Sequence, residues 1–420
     1  MADKLKIANV VRRFTFAEWG GTETVVWNTA RELQKNGHHP EILATRALCS
    51  TPEETVDGIA IRRFPYFYPY WPLTAARRLA LDKKGGNPFS RGLWQALHRT
   101  DATLVHCHTM ARLGETVRNA CGSRNIPYVV SFHGGCFDVP PQELAAMRKP
   151  TRGCFHYGRL LDLLLGRNRF LNAAAGIICV GYNEYEMTCD RYPDRPVVYL
   201  PNGVEVERFE KVPEVDFRRQ WQIDPAAQLI LCVSRIDYQK NQQMLLQLLE
   251  RLKEKSENIH LVLIGPVTAP DYYAEMQSFI AARQLQQLLT VIPGLPPDSP
   301  ELAAAYHAAD LFILPSIHEP FGIVVLEAWA AGVPVIAAST GGLKKLIEPE
   351  KTGLLFDHDS LADLEFCYQR MIEEPSLREN LIAHAGHTVR QEYSWPIITR
   401  KLLDFYDLVL SQSGRKGQKS

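Results

Sequence analysis

The chain has 420 residues, enough for two or three domains, and its 46% hydrophobic and 22% charged content is that of a globular protein, which excludes a wholly disordered chain or a fibre. Its 47 Lys and Arg balance 47 Asp and Glu, so no net field draws it to polyanions and nucleic acid is not an expected partner. The longest uncharged run, 328–343, is shorter than the roughly 18 residues of a spanning helix and is broken by Gly332, Pro334, Ser339 and Thr340. The start, MADKLKIANVVRR, carries Asp3, Lys4 and Lys6 and does not read as a secretory leader, so the expected location is cytoplasmic. Nine cysteines without a C-x-x-C pair read as reduced, packed thiols and not as a disulfide or zinc framework.

In chain order, short apolar runs alternate with longer amphipathic segments, the pattern of a parallel α/β sheet. Strands are expected at 7–11, 103–107, 128–131, 176–180 and 197–200, with helices between them at 24–36 and 110–120 among others. The irregular stretch 203–227 follows the turn chemistry of Pro201-Asn202-Gly203. The rhythm then restarts, with strands at 229–233, 260–264, 289–292, 311–314 and 335–337. Two similar α/β units in series are expected, and ligands of open parallel sheets bind at strand carboxyl ends, so a cleft between facing domains is the expected site. A helix follows Trp395-Pro396, and the basic, Gly- and Ser-containing end reads as a disordered tail over 412–420.

The most informative segment is HEPFGIVVLEAWAAGVPVIAASTGG, residues 318–342. It leaves a buried strand, passes a loop with Pro320 and Gly322, and enters a helix near Ile323. Glu319 stands in the loop and Glu327 a turn into the helix, so both carboxylates can address one ligand. A carboxylate accepts two hydrogen bonds side by side, matching the vicinal hydroxyls of a ribose or hexose, and the free amides of the helix start suit a phosphate. Taken as an isolated pair, Glu327 would read as a solvated helix residue and Glu319 as a dipole-stabilising one. In VSRIDYQKN, residues 233–241, Arg235 and Lys240 follow a strand's carboxyl end, where two cations can neutralise a leaving diphosphate; a solvated loop pair is the alternative.

Gly20-Gly21 lies between the first strand and first helix, where glycine allows close approach to a ligand or simply a tight turn. Its spacing is not G-x-G-x-x-G, which argues against a dinucleotide cofactor. His133, in SFHGG, follows the strand at 128–131 and faces the expected cleft, either as a site residue or as a satisfied structural histidine. The D-x-D of Asp357-His358-Asp359 sits in a connecting segment, and no metal is expected there. Residues 64–73, FPYFYPYWPL, interleave aromatics with prolines, and 147–170 carry six Arg and Lys against one Asp around LLDLLL. That composition fits a membrane surface with anionic lipid, or a core-facing helix with a solvated basic face beside a Pro-rich loop.

Residues 318–342 resemble the E-x7-E segment of retaining GT-B glycosyltransferases of the large family 4 (glycosyl transferases group 1) type, and the ordered motifs around it agree over nearly the whole chain. The resemblance implies two Rossmann-like parallel-sheet domains facing each other across a cleft: an acceptor-side domain over 1–203, completed by a returning helix at 395–411, and a nucleotide-sugar-binding domain over 204–394. It implies that Glu319 lies by the donor sugar, Glu327 holds the ribose, and the backbone of Phe321, Gly322, Ile323 and Val324 contacts the phosphates. Arg235 and Lys240 match the family's cationic pair, Gly20 and Gly21 its acceptor-side loop, and His133 its active-site histidine. His106 and His108 match a family landmark of mainly structural character. Base contacts come from backbone near Gly265 and Pro293-Gly294, with Gly294 counted among the donor-binding residues. Gly341-Gly342 matches the following glycine pair, while Lys345 stands where an acidic residue often occurs.

The implied activity is retaining transfer of a hexosyl group from a nucleotide-diphosphate sugar, with UDP-sugar favoured, to a hydroxyl of a glycan or lipid-linked acceptor, as in cell-surface polysaccharide or glycolipid synthesis. No cofactor is implied, and a peripheral position at the inner membrane face is compatible with it. A GT-B subunit that binds a nucleotide sugar without transferring it, or a nucleotide-sugar epimerase, are the alternatives.

Overall fold

The computed structural model describes residues 4–17, 20–134, 147–166, 169–296 and 299–417, and side chains as far as Ser413. Arg167 of the basic stretch and residues 418–420 of the expected tail lie outside these. Two units separate by their internal packing: Met1–Pro201 with Ile398–Ser420, and Asn202–Ile397.

The first unit contains β1 (Lys6–Arg13), β2 (His39–Thr45), β3 (Glu53–Val56), β4 (Ile59–Phe64), β5 (Tyr70–Trp71), β6 (Leu104–Cys107), β7 (Tyr128–Phe132), β8 (Phe155–His156), β9 (Gly176–Cys179) and β10 (Val197–Tyr199). Eight of them form one sheet in the order β10-β9-β7-β6-β1-β2-β4-β3, parallel throughout except for the β3–β4 hairpin. The remaining pair, β5 and β8, makes a separate antiparallel ribbon. Strands of such a sheet are covered by helices on both faces, so they read as apolar runs and not as alternations. In β2, Leu43 joins the core cluster of Ala8, Val10 and Val130, whereas Ile42 and Ala44 join that of Phe14, Val26 and Ile61, the two faces of one sheet separated by the period of two. The helix Ala111–Arg124 between β6 and β7 ends at Asn125, which adopts the left-handed conformation at φ 52°.

The second unit contains β11 (Gln228–Val233), β12 (Ile259–Ile264), β13 (Leu289–Ile292), β14 (Leu311–Leu314), β15 (Val335–Ala338) and β16 (Leu354–Phe356), all in parallel pairs, in the order β13-β12-β11-β14-β15-β16. Numbered within the unit this is 3-2-1-4-5-6, the doubly wound order of a Rossmann-like sheet. The helix Gln242–Glu254 buries Leu245, Leu248, Leu249 and Leu252 against β11 and β12 residues such as Ile230 and Leu261.

Each of the ten strands expected from sequence is present within one or two residues of its expected bounds. β2, β3, β4, β5, β8 and β16 escaped because they are short or carry charge. β4 holds Arg63, whose fully buried guanidinium pairs with Glu54 at 2.5 Å and donates to the Phe14 carbonyl at 2.7 Å, so the charge hides a core strand. The helix Trp395–Gly417 departs from the expected disordered tail beginning at 412. Ser411 and Ser413 donate their hydroxyls to the Leu408 and Val409 carbonyls at 2.8 and 2.9 Å, so these polar side chains are satisfied inside the helix and do not end it.

Candidate active site

The strand order of the second unit reverses between β11 and β14, and ligands of such sheets bind outside the carboxyl ends at that point. β11 ends at Val233 and leads directly to Arg235 and Lys240; β14 ends at Leu314 and leads to Glu319. Lys240 Nζ meets Glu319 Oε2 at 2.5 Å, with each side chain only 12% exposed. The ammonium has three donors and this pair uses one, so two remain for another anion. Arg235 is 39% exposed and engages Asp237 Oδ2 at 3.4 Å and Gln239 Oε1 at 3.3 Å, not Glu319. Asp237 holds the turn, accepting from the Gln239 and Lys240 amides and from Thr268 Oγ1 at 3.1, 3.3 and 3.0 Å.

Helix Ile323–Ala330 starts from Gly322, whose φ of 97° favours glycine and whose added Cβ would lie 2.7 Å from Leu343 Cδ2. The first amides of any helix lack intrahelical acceptors, so the backbone at Ile323 and Val324 offers donors beside the Lys240–Glu319 pair's own loop. Phe321 turns its ring inward toward Tyr393, 6.2 Å between centroids, leaving only backbone for a ligand. Gly341 at φ 45° lies so close to the Glu319 carbonyl that a Cβ would collide with it, and the Gly342 amide donates to that same carbonyl at 2.8 Å. The glycine pair thereby fixes the Glu319 backbone.

Glu327 lies in the helix and has a different partner from Glu319. Tyr306, from helix Pro300–Ala308, donates its hydroxyl to Glu327 Oε2 at 2.7 Å. Burial pushes the Glu327 carboxyl up to about 7, with the Tyr306 hydrogen bond and the Arg208 charge opposing. Gly294, at φ 119°, follows β13, and Gly265, at φ 152°, follows β12; a Cβ at Gly265 would strike the Ser234 carbonyl, so backbone at the ends of β11 and β12 is packed without side chains.

In the first unit the strand order reverses between β1 and β6. Gly20 and Gly21 open the helix Gly21–Lys35 that follows β1, and a Cβ at Gly20 would lie 3.0 Å from Glu23 Oε2. Glu23 is buried against Arg13 at 3.1 Å; burial raises its carboxyl, with Arg13 opposing. His133 follows β7 and is half-buried, and its Nε2 lies 3.0 Å from His108 Nδ1.

Hydrogen-bond polarity then assigns the protons in this chain of groups. Asn9 Nδ2 donates to the Glu41 carbonyl at 3.3 Å, so Asn9 Oδ1 is the atom facing His108 Nε2 at 3.3 Å, and His108 must donate there. Burial holds His108 well below the ordinary histidine range, so it is neutral and its Nδ1 accepts from His133 Nε2. His133, which burial pushes down to about 4, is therefore the Nε2–H tautomer with a bare Nδ1. His106 lies with its ring centroid 3.8 Å from that of His108, tilted by 34°, and bonds Tyr406 Oη at 2.7 Å and Ser131 Oγ at 2.6 Å, as a structural histidine does.

The glycosyl transferases group 1 family model matches residues 214–387, and the glycosyltransferase family 4 model matches residues 19–208, so the two together take in most of both units. The chain belongs to the group 1, family 4 glycosyltransferases. It is 26% identical, over 98% of its length and 100% of the relative's, to an uncharacterized glycosyltransferase of Methanocaldococcus jannaschii. Among solved structures it is similar to sucrose-phosphate synthase from Thermosynechococcus elongatus, at a TM-score of 0.72 and 19% identity over 97% of this chain and 100% of that one. It is also similar to Anabaena HepE in complex with UDP-glucose, at a TM-score of 0.67 and 17% identity over 96% and 99%. The fold of this glycosyltransferase is GT-B, each unit a Rossmann-like parallel sheet.

Three residues of this glycosyltransferase that hold its candidate site together were not picked out from sequence. Tyr306 orients Glu327, Asp237 closes the turn between Arg235 and Lys240, and Asn9 sets the tautomer of His108. Asp237 had a legible signal, an Asp opening a turn three residues before Lys240. Tyr306 and Asn9 had none, since each acts across elements 21 and 99 positions apart. Asp357, His358 and Asp359 bring one ligand atom each within 4.8 Å of one another after β16, with both carboxylates exposed.

Proposed function

We propose that this glycosyltransferase moves a hexosyl group from a nucleotide-diphosphate sugar, a UDP-sugar by preference, to a hydroxyl of a glycan or lipid-linked acceptor, with retention at the anomeric carbon and without a divalent metal. The observation that carries the reading is the Lys240–Glu319 pair at the switch point of the second sheet, beside a helix start whose backbone is opened by Gly322. Lys240 and Arg235 are the cations for the leaving diphosphate, joined by the amides at Ile323 and Val324. Fixed cations there take the charge-stabilising part a metal would otherwise play. Glu327, aimed by Tyr306, accepts the ribose hydroxyls, and Gly294 leaves room for the base.

The bond from the anomeric carbon to the phosphate oxygen breaks while the acceptor oxygen attacks the same face, its proton passing to the departing phosphate oxygen. Glu319 lies by the sugar, and the bare Nδ1 of His133 accepts a hydroxyl of the sugar or acceptor, with Gly20 and Gly21 on the acceptor side. The UDP preference draws on HepE, whose complex with UDP-glucose is a structural neighbour. No helix among the described residues is long and apolar enough to cross a membrane, and a lipid-linked acceptor reached from a peripheral, cytoplasmic position fits that.

The test is a thermal screen of UDP-, GDP- and ADP-sugars followed by product analysis with a supplied acceptor. Binding at a hundred times Kd adds about 2.7 kcal/mol of stability. Glu327→Ala is expected to raise the donor KM, and Lys240→Ala to lower kcat. Unchanged kinetics in both variants, or inverted product by NMR, overturns the assignment; a trapped sugar–enzyme adduct on native protein overturns the same-face step. Donor epimerised without acceptor would mark an epimerase.

A further inference from the structure

The first unit carries an apolar surface that its own core does not use. β5 and β8 stand outside the main sheet, and Trp71 is registered opposite Phe155, so the two rings share one face of the ribbon. Each is 70% exposed. The chain then enters helix Gly158–Leu164, whose Leu160, Leu163 and Leu164, at the i, i+3, i+4 spacing of one face, are 66%, 72% and 74% exposed. The opposite side of this helix is anchored: Gly158 packs onto Pro69 and Arg112, and Asp162 is gripped by Arg112 at 2.7 and 3.1 Å. Single exposed apolar residues are ordinary on a monomer, whereas five large ones on a two-stranded ribbon and the helix that follows it mark a contact surface.

Charge in the two described segments that carry this surface has one exposed sign. In segments 69–85 and 147–166 the only carboxylates are Asp82 and Asp162. Both are turned inward, Asp82 onto the Tyr66 and Tyr68 hydroxyls at 2.6 and 2.9 Å and Asp162 onto Arg112. Arg148, Lys149, Arg152 and Arg159 are exposed. An isologous dimer through this face would set like charges against each other, which disfavours a second copy. Aromatic rings at headgroup depth, leucines against the acyl boundary and basic side chains at lipid phosphates are the complementary arrangement.

We propose that the face formed by Trp71, Phe155, Leu160, Leu163 and Leu164, with its basic surround, docks the protein on a bilayer containing anionic lipid. The surface deepens the proposed function and rests on it for one point, that the acceptor is lipid-linked; the docking itself uses none of the donor-site residues.

The full chain is sedimented with vesicles of phosphatidylcholine alone and of phosphatidylcholine mixed with phosphatidylglycerol, at low and high salt. It is expected to bind the mixed vesicles at low salt and to lose that binding with salt or without the anionic lipid. Trp71→Ser/Phe155→Ser and Leu163→Ser/Leu164→Ser remove exposed groups only, so both fold, and each lowers vesicle affinity by about tenfold or more. Arg148→Glu/Lys149→Glu abolishes the preference for anionic vesicles. All three keep the wild-type rate of donor turnover with a soluble acceptor.

No binding to mixed vesicles, or equal binding by wild type and the serine variants, overturns the proposal. So does a concentration-dependent dimer that Leu163→Ser/Leu164→Ser dissolves in sedimentation velocity, since a second copy would then cover the face. Vesicle binding by a protein that turns over no donor leaves the docking standing and removes the enzymatic reading, so the two failures are distinguishable.

Discussion

Glu327 makes the donor reading quantitative through pH. Its carboxyl, pushed up to about 7 by burial, is mostly protonated in the free protein on the acid side of neutrality. The ionised form offers acceptors on Oε1 and one more on Oε2 beside the Tyr306 hydroxyl, and ribose hydroxyls bind that form best. Donor binding therefore expels the proton, and affinity follows the ionised fraction. With a pKa of about 7 that fraction is about 0.9 at pH 8 and about 0.03 at pH 5.5, so affinity should fall about 30-fold between them.

The assay is calorimetric titration with the nucleotide sugar that stabilises the protein most, whose pyrophosphate diester keeps its charge over this range. Glu327→Gln should bind more weakly at pH 8 and show no such slope. A wild-type affinity flat from pH 5.5 to 8, or a slope surviving in Glu327→Gln, refutes the reasoning. Stability has the opposite sign. A carboxyl raised above its unfolded value of 4.5 contributes fully below about pH 4.5, and that contribution is lost as pH rises through about 7. Without donor, Glu327→Gln should thus gain on wild type by up to about 3 kcal/mol between pH 5 and 8 in urea unfolding.

Lys240→Ala leaves the largely buried Glu319 without its cation, and should lower kcat on the order of 100-fold with a reduced Tm, measured by donor turnover and calorimetry. Gly341→Ala places a Cβ against the Glu319 carbonyl at a φ of 45° and should cost at least about 1 kcal/mol in unfolding while raising the donor KM. Asn9→Leu removes the acceptor that holds His108 Nε2–H; imidazole nitrogen shifts should show a mixed His133 tautomer, with about 1–3 kcal/mol lost. The histidines give an acid limit: with His106 pushed down to about 3 and His133 to about 4 by burial, their contribution is complete above pH 6.5 and lost as pH falls toward 3–4. Urea midpoints of the wild type should fall over that window, and His106→Gln should flatten the fall.

The amino-acid order alone determined the local elements and where chemistry could attach to them. The apolar runs at 289–292 and 311–314 coincide with β13 and β14, and the positions of Arg235, Lys240 and Glu319 just past strand ends followed from the same reading. Backbone preference and hydrophobic period act over a few residues, so a single strand suffices to reveal them. Three-residue β16 carries too little pattern for that, and Arg63 masks β4 because its compensating Glu54 and Phe14 carbonyl sit on other segments.

Partner choice belonged to the tertiary structure. Lys240 finds Glu319 across 79 positions and His106 finds Tyr406 across 300, contacts no local window contains. The same holds for exposure: LLDLLL has the pattern of a buried helix face, and only the packing of Gly158 on Pro69, with Asp162 turned onto Arg112, decides that Leu160, Leu163 and Leu164 look outward. A side chain's period says that it has a face; which face meets protein is settled by what the rest of the chain brings beside it.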